Sequence, residues 1–226
     1  MLENNLKSVL DKIKNGNNLG EEITLVGATK MNDAETINKA VSLGLKVVAE
    51  NKVQEFREKT ANISPSAEQQ FIGHLQTNKV KYLVGNVTLI QSVDSIHLAE
   101  EISKVATKKN VTQNILIEVN VGGELSKSGF DLSNVKDAVK SISLLPSIKV
   151  TGLMAMLPHT QDNDYLVSLM EKMRTAYDDL KGQGYDFKHL SMGMSGDYEL
   201  AIKHGSNMIR LGSLIFGKRN YGVENK

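Results

Sequence analysis

The chain alternates strand-like and helix-like segments from end to end, with short connections and no linker. Mostly apolar runs at 23–30, 46–51, 70–74, 89–94, 114–121, 150–157, 189–194 and 208–216 read as eight strands. Helical signals separate them. Ala34, Ile37, Ala40 and Val41 recur at helical spacing after the first strand, where Asn32 or Asp33 can cap and Gly44 closes. A charged stretch over 53–61, a short basic one near 77–83, and the sets Leu98/Ile102/Val105, Leu132/Val135/Val139/Ile142 and Leu166/Leu169/Met173/Ala176/Leu180 follow, then a short helix at 197–204. An amphipathic segment (Leu2, Leu6, Val9, Leu10, Ile13) precedes the first strand and stops at Asn15-Gly16-Asn17-Asn18. Such alternation over 226 residues has the size of a (β/α)8 TIM-type barrel. The run at 114–119 is too continuously apolar for a half-exposed strand, as a parallel sheet requires. One domain over 1–226, with 1–16 as a leading helix, is therefore expected. An open doubly wound sheet would use the same local pattern. No Gly-x-Gly-x-x-Gly turn follows the first strand, so dinucleotide binding has little support.

Composition narrows the partners. Twenty-seven basic and 26 acidic residues leave a net charge of +1, which points to neither nucleic acid nor an anionic membrane. There is no cysteine, which removes disulfides, thiolate nucleophiles and zinc–cysteine sites and suits a reducing compartment. The start lacks the basic-then-apolar pattern of a signal peptide, and no apolar run reaches the ~18 residues that span a bilayer. A soluble, cytoplasmic protein is expected. The five histidines (74, 97, 159, 189, 204) show no metal-ligand spacing, so no metal is expected. Lys79 and Lys81 read as a solvated basic face.

In a barrel the carboxyl ends of all strands share one face, where ligands bind. The first strand ends in Thr29-Lys30. A lysine there is either a solvated loop residue or a nucleophilic amine freed by burial. The same face carries Asn51, His74, Asp94, the loop 122–127, Met154, Met156, Ser195 and Arg210. Met194-Ser195-Gly196-Asp197 leads from the seventh strand into a helix that Ser195 can cap. Arg210-Leu211-Gly212-Ser213 repeats a glycine–hydroxyl pair at the eighth. Each is an ordinary turn on its own; together, at the loops after strands seven and eight, they suit a phosphate. An amine opposite a phosphate site suggests a phosphorylated aldehyde held as a Schiff base. Pyridoxal 5′-phosphate (PLP) fits, with its aldehyde on Lys30 and its phosphate at Ser195, Gly196, Gly212 and Ser213.

Several stretches then resemble one family. They are Val26-Gly27-Ala28-Thr29-Lys30, Ala49-Glu50-Asn51-Lys52-Val53-Gln54-Glu55, Phe71-Ile72-Gly73-His74-Leu75-Gln76-Thr77-Asn78-Lys79, Ser126-Lys127-Ser128-Gly129, Gly152-Leu153-Met154-Ala155-Met156, Leu190-Ser191-Met192-Gly193-Met194-Ser195, and Ile209-Arg210-Leu211-Gly212 through Ile215-Phe216-Gly217. In this order and over almost the whole chain they resemble the pyridoxal phosphate homeostasis proteins, also called proline synthase co-transcribed proteins. The resemblance implies a single barrel like the N-terminal domain of alanine racemase (PLP fold type III), with PLP on Lys30. It implies phosphate contacts near Ser195, Gly212 and Ser213, and Arg210 facing the pyridine nitrogen, and Asn51 matches the asparagine of the family's Gly-Glu-Asn. Ala49 departs from the glycine of the family's Gly-Glu-Asn, which puts the backbone fit near Asn51 in question.

Two functions from different classes follow. One is a non-catalytic PLP carrier or regulator in intracellular PLP homeostasis, expected to be a monomer with PLP-dependent apoenzymes as recipients. The other is a PLP-dependent amino-acid racemase of weak activity. Two-base racemisation needs an acid/base on each face of the substrate carbon. In alanine racemases the second base comes with a β-rich domain that nothing here resembles, and the sequence stops at Lys226, shortly after the eighth strand. The carrier is the favoured expectation. Lys127, beyond the fifth strand, is either a loop lysine in water or a second amine able to take the aldehyde from Lys30.

Overall fold

The computed structural model describes residues 1–124 and 127–217. Ser126 of the quoted motif and the stretch 218–226 lie outside the described residues. Among the described residues nine strands occur in the order β1 (Thr24–Ala28), β2 (Val47–Glu50), β3 (Glu68–Phe71), β4 (Leu89–Val93), β5 (Gln113–Asn120), β6 (Phe130–Asp131), β7 (Ile148–Ala155), β8 (His189–Ser191) and β9 (Met208–Leu211). All pairings are parallel. Strand β1 pairs with both β2 and β9, and β4 pairs with β5, so eight strands close on themselves and the open-sheet alternative is excluded. The short β6 hangs on β5 outside that ring. Around the ring run β1, β2, β3, β4, β5, β7, β8 and β9, which puts β5 directly across from β1.

The helices are α1 (Leu2–Ile13), α2 (Ala34–Ser42), α3 (Val53–Lys59), α4 (Val80–Leu83), α5 (Ile96–Lys108), α6 (Val135–Ser143), α7 (Asn163–Gly182), α8 (Tyr198–Lys203) and α9 (Ser213–Phe216). Asp33 caps α2 by accepting from the Thr36 amide, Ser95 caps α5 and Asp162 caps α7, each tying up one amide that a helix start leaves unbonded. No helix among the described residues is long and apolar enough to cross a membrane.

Every residue of β2, β4 and β9 is buried, as expected for strands covered on one face by helices and on the other by the barrel interior. Ile115, Ile117 and Val119 of β5 pack outward with α5, α6 and α7, while Leu116 joins Val26, Val47, Ala49, Leu89, Met154 and Met208 in a small apolar cluster inside the ring.

Several strands are shorter than expected, the seventh (β8) among them, which stops at Ser191. The third ends at Phe71, because a Cβ on Gly73 would lie 2.0 Å from the Asn51 carbonyl oxygen and the chain passes there as loop. The eighth ends at Leu211: Gly212 turns the backbone (φ −114°, ψ −81°) and 213–216 coils into α9 instead.

Candidate functional site

Strand alternation decides which side chains reach the interior. On β1, Val26 faces inward and Leu25 outward, and two further steps of two carry Lys30 to the mouth of the ring. On β2, Val47 and Ala49 lead to Asn51. On β5, Leu116 leads to Glu118, and on β9, Met208 leads to Arg210. At this mouth a cavity of about 350 Å³ is lined by Lys30, Asn51, His74, Glu118, Lys127 and Arg210, among others. It is therefore at the carboxyl ends of the strands, and of a size that holds a small cofactor.

The out-facing residues beside Lys30 form a buried ionic knot behind it. Thr29 donates its hydroxyl to Glu50 Oε1 (2.7 Å), and Lys59 of α3 reaches Glu50 Oε1 and Glu55 Oε2, each at 2.9 Å. Glu55 also accepts the Met31 amide at 2.8 Å, and Met31 is a non-glycine residue at φ 63°. Lys30 thus sits between Thr29, whose hydroxyl is bonded to Glu50 of β2, and Met31, whose amide is bonded to Glu55 of α3. Burial pushes the Glu50 carboxyl up, against the pull of Thr29 and Lys59. The Ala49 methyl is accommodated in the inner apolar cluster, and the Ala49 carbonyl accepts the Thr29 amide at 3.0 Å, so the alanine leaves the β1–β2 pairing intact.

Arg210 is buried. Its Nη1 donates to the Ser191 carbonyl (3.0 Å) and hydroxyl (2.7 Å), and its Nη2 donates to the Ala155 carbonyl (2.9 Å). Ser191 donates in turn to Gln91, which donates to Gln70, so a polar chain across the barrel interior fixes the guanidinium. Burial pulls its pKa down to about 10, with Glu118 and Asp197 pulling the other way; it stays charged at neutral pH.

Glu118 did not emerge from the sequence reading. It is buried, no hydrogen bond to its carboxyl is found among the described residues, and burial together with the nearby Asp94 pushes its pKa up to about 7, against Arg210 and His74. Asp94 Oδ2 is itself bonded to His74 Nδ1 at 3.1 Å, which places His74 at the rim. The signal was present: on a strand whose Ile115, Ile117 and Val119 share one face, Glu118 falls on the other.

Lys127 lines the same cavity as Lys30, pairs with Glu124 and donates to the Met156 carbonyl (3.3 Å). Ser195 and Gly196 instead line an adjoining cleft of about 770 Å³, with Met194 common to both. The Ser195 and Ser213 hydroxyls approach to 3.3 Å, and Gly212 lies against the Ala28 carbonyl, where a Cβ would be 3.4 Å from the oxygen. Ser195 does not cap α8. Asp197 is the cap residue, and its carboxylate accepts the Met194 amide at 2.6 Å, which folds the turn back on itself and leaves the serine hydroxyl turned toward Ser213. Among the described residues, no group of three or more histidine, aspartate or glutamate side chains could hold a metal ion.

A buried acceptor, Asn51 Oδ1, has no hydrogen-bond partner among the described residues, and it belongs to this cavity. With two amines, a guanidinium and a hydroxyl pair nearby, the donor set suits a polar, anionic carbonyl compound.

The closed barrel with its lysine-bearing mouth defines a class: the family model for the alanine racemase N-terminal domain matches residues 2–220. An alanine racemase from Clostridium difficile 630 in complex with cycloserine shares the fold, with a TM-score of 0.76 at 19% identity over 96% of this chain and 60% of that one. A pyridoxal phosphate homeostasis protein from Aquifex aeolicus (strain VF5) is 45% identical over 199 residues, 87% of each chain. The structure of PipY from Synechococcus elongatus PCC7942 with PLP bound gives a TM-score of 0.84 at 27% identity, over 96% of this chain and 100% of that one. The chain belongs to the pyridoxal phosphate homeostasis protein family.

Proposed function

We propose that this protein binds PLP as a Schiff base on Lys30 and serves intracellular PLP homeostasis as a carrier, passing the cofactor to PLP-dependent apoenzymes and acting as a monomer. The observation that carries this reading is the single cavity that unites Lys30, Asn51, Lys127 and Arg210, beside the Ser195–Ser213 hydroxyl pair. PLP supplies an aldehyde that condenses with an amine and a ring that can accept electrons. Lys30 offers the amine; Ser195, Ser213 and the backbone at Gly196 and Gly212 offer donors to the phosphate; Asn51 offers an acceptor. Arg210, held by Ser191 and Ala155, has only donors, and one left over from those bonds would face the pyridine nitrogen. A group that only donates keeps that nitrogen from carrying a proton, and so weakens the ring as an electron sink. Holding is thereby favoured over turnover. Lys127 provides a second amine for transfer.

One observation favours the competing reading, a weak amino-acid racemase: Glu118 is a titratable group across the cavity from Lys30. One measurement tests the Schiff base common to both readings, and a second separates them. Absorbance of the PLP-loaded protein before and after borohydride should show a reducible Schiff base. Exchange of the alanine α-proton in D2O should be far slower than with a racemase. Rapid racemisation that disappears in Lys30→Ala would replace the carrier with the enzyme.

A further inference from the structure

The geometry points to Glu118 as a proton-coupled ligand-binding residue: it takes up a proton when an anionic phosphorylated aldehyde enters the cavity, and in the protonated form donates a hydrogen bond to the ligand. This deepens the reading of the site given above and rests on it.

Four observations support the assignment. Glu118 lies on β5, directly across the ring from β1, so its carboxyl and the Lys30 amine approach one ligand from opposite walls. Its carboxyl has no hydrogen-bonding partner among the described residues, although it is buried. Arg210 attracts it without pairing with it: both terminal nitrogens of Arg210 are engaged by Ser191 and Ala155, and no ion pair joins Arg210 to Glu118. The charged groups around it are mixed in sign. Asp94 at the end of β4 repels it, His74 after β3 and Arg210 on β9 attract it, and Lys30 and Lys127 line the same cavity.

Glu118 thus lines the cavity that an anionic ligand would enter, with the charge of Asp94 close enough to act on it. Asp94 is bonded to His74 at 3.1 Å. Glu118 has no such partner among the described residues, and like charges in one desolvated site do not ionise together. Protonation removes the repulsion and turns an acceptor-only carboxylate into a donor. Its pKa of about 7 in the protein without ligand places this exchange in the neutral range. The coupled step is a simple protonation, with the proton drawn from solvent and returned on release. Loading is therefore favoured at lower pH and release at higher pH.

The test is calorimetric titration of the ligand-free protein with PLP at pH 8, in buffers of different ionisation enthalpy, for the natural chain and Glu118→Gln. The natural chain should take up close to one more proton than the variant. From pH 7 to 9 its PLP affinity, relative to that of the variant, should fall by up to about tenfold per pH unit. Infrared difference spectra on loading should show a protonated carboxyl appearing in the natural chain and not in Glu118→Gln. Equal proton uptake and parallel pH profiles would overturn the proposal, as would the same infrared band in both proteins. Borohydride reduction of the same samples keeps the two ideas apart. Loss of labelling at Lys30 with Glu118-dependent proton uptake would sink the Schiff-base reading alone.

Discussion

The two walls of the cavity, at the ends of β1 and β5, are built on opposite principles. Behind Lys30, Glu50 Oε1 accepts from Thr29 and Lys59, and Glu55 accepts from Lys59 and the Met31 amide, in a knot that fixes the backbone on either side of the lysine and leaves the buried Glu50 Oε2 without a partner among the described residues. Across the ring, the Glu118 carboxyl is about as buried as Glu50 but has no hydrogen-bond partner among the described residues to fix its charge. The first wall holds a nucleophile in place; the second responds to what arrives. The contrast teaches that burial alone does not determine whether a carboxylate is structural or functional. Its hydrogen-bonding company does.

Breaking the first wall should have the largest effect. Lys59→Ala leaves Glu50 buried without its cation, at a cost of about 3 kcal/mol, the low end for a broken buried pair because Lys59 retains 16% exposure. Urea unfolding should show this loss, and PLP retention on Lys30 should weaken with it. A variant as stable as the natural chain would mean that the knot is not structural.

The second wall should show itself as pH dependence. Glu118 titrates at about 7 when folded against 4.5 as a free side chain, so the folded state binds its proton more tightly. Its stabilising contribution is complete below pH 4.5 and is lost as pH rises to about 7, a total of roughly 3 kcal/mol at 1.36 kcal/mol per unit. Comparing the pH dependence of unfolding free energy in the ligand-free protein and in Glu118→Gln isolates this term. The variant should be the more stable at pH 8 and the two should converge near pH 4.5. Identical profiles would remove the contrast between the walls.

Between the walls, the hydroxyl pair should discriminate ligands. Ser213→Ala should weaken PLP by roughly 1.5–3 kcal/mol and pyridoxal much less, since only the former carries the phosphate. Equal losses in titration would move the phosphate elsewhere. The smallest effect is expected at Lys127→Ala: stopped-flow transfer of PLP to an apoenzyme should slow severalfold with equilibrium binding nearly unchanged. An unchanged rate would leave Lys127 a rim lysine, tied to Glu124 and the Met156 carbonyl.

Much of this was legible in the sequence for physical reasons. Strand and helix periods differ, so the βα alternation gave the barrel, and a lysine ending the first strand had to lie on its open face. Closure was not legible: β4–β5 pairing is a long-range contact that an open sheet lacks but whose local pattern it shares. Helix α9 was hidden because Leu214, Ile215 and Phe216 are apolar in either conformation, and only the turn at Gly212 separates them from β9. Ser195 fell outside the cap position because the turn closes through the Met194 amide on the Asp197 carboxylate, so that α8 starts after Asp197 without a side-chain cap bond. Glu118 was read as part of an apolar strand, since its face becomes visible only when outward and inward positions on β5 are told apart.

The most direct test of the central claim is peptide mass mapping of the PLP-loaded protein after borohydride reduction. The account predicts one pyridoxyl group per chain, on Lys30, and its loss in Lys30→Ala. A pyridoxyl group found only on another lysine, or full retention in Lys30→Ala, would contradict it.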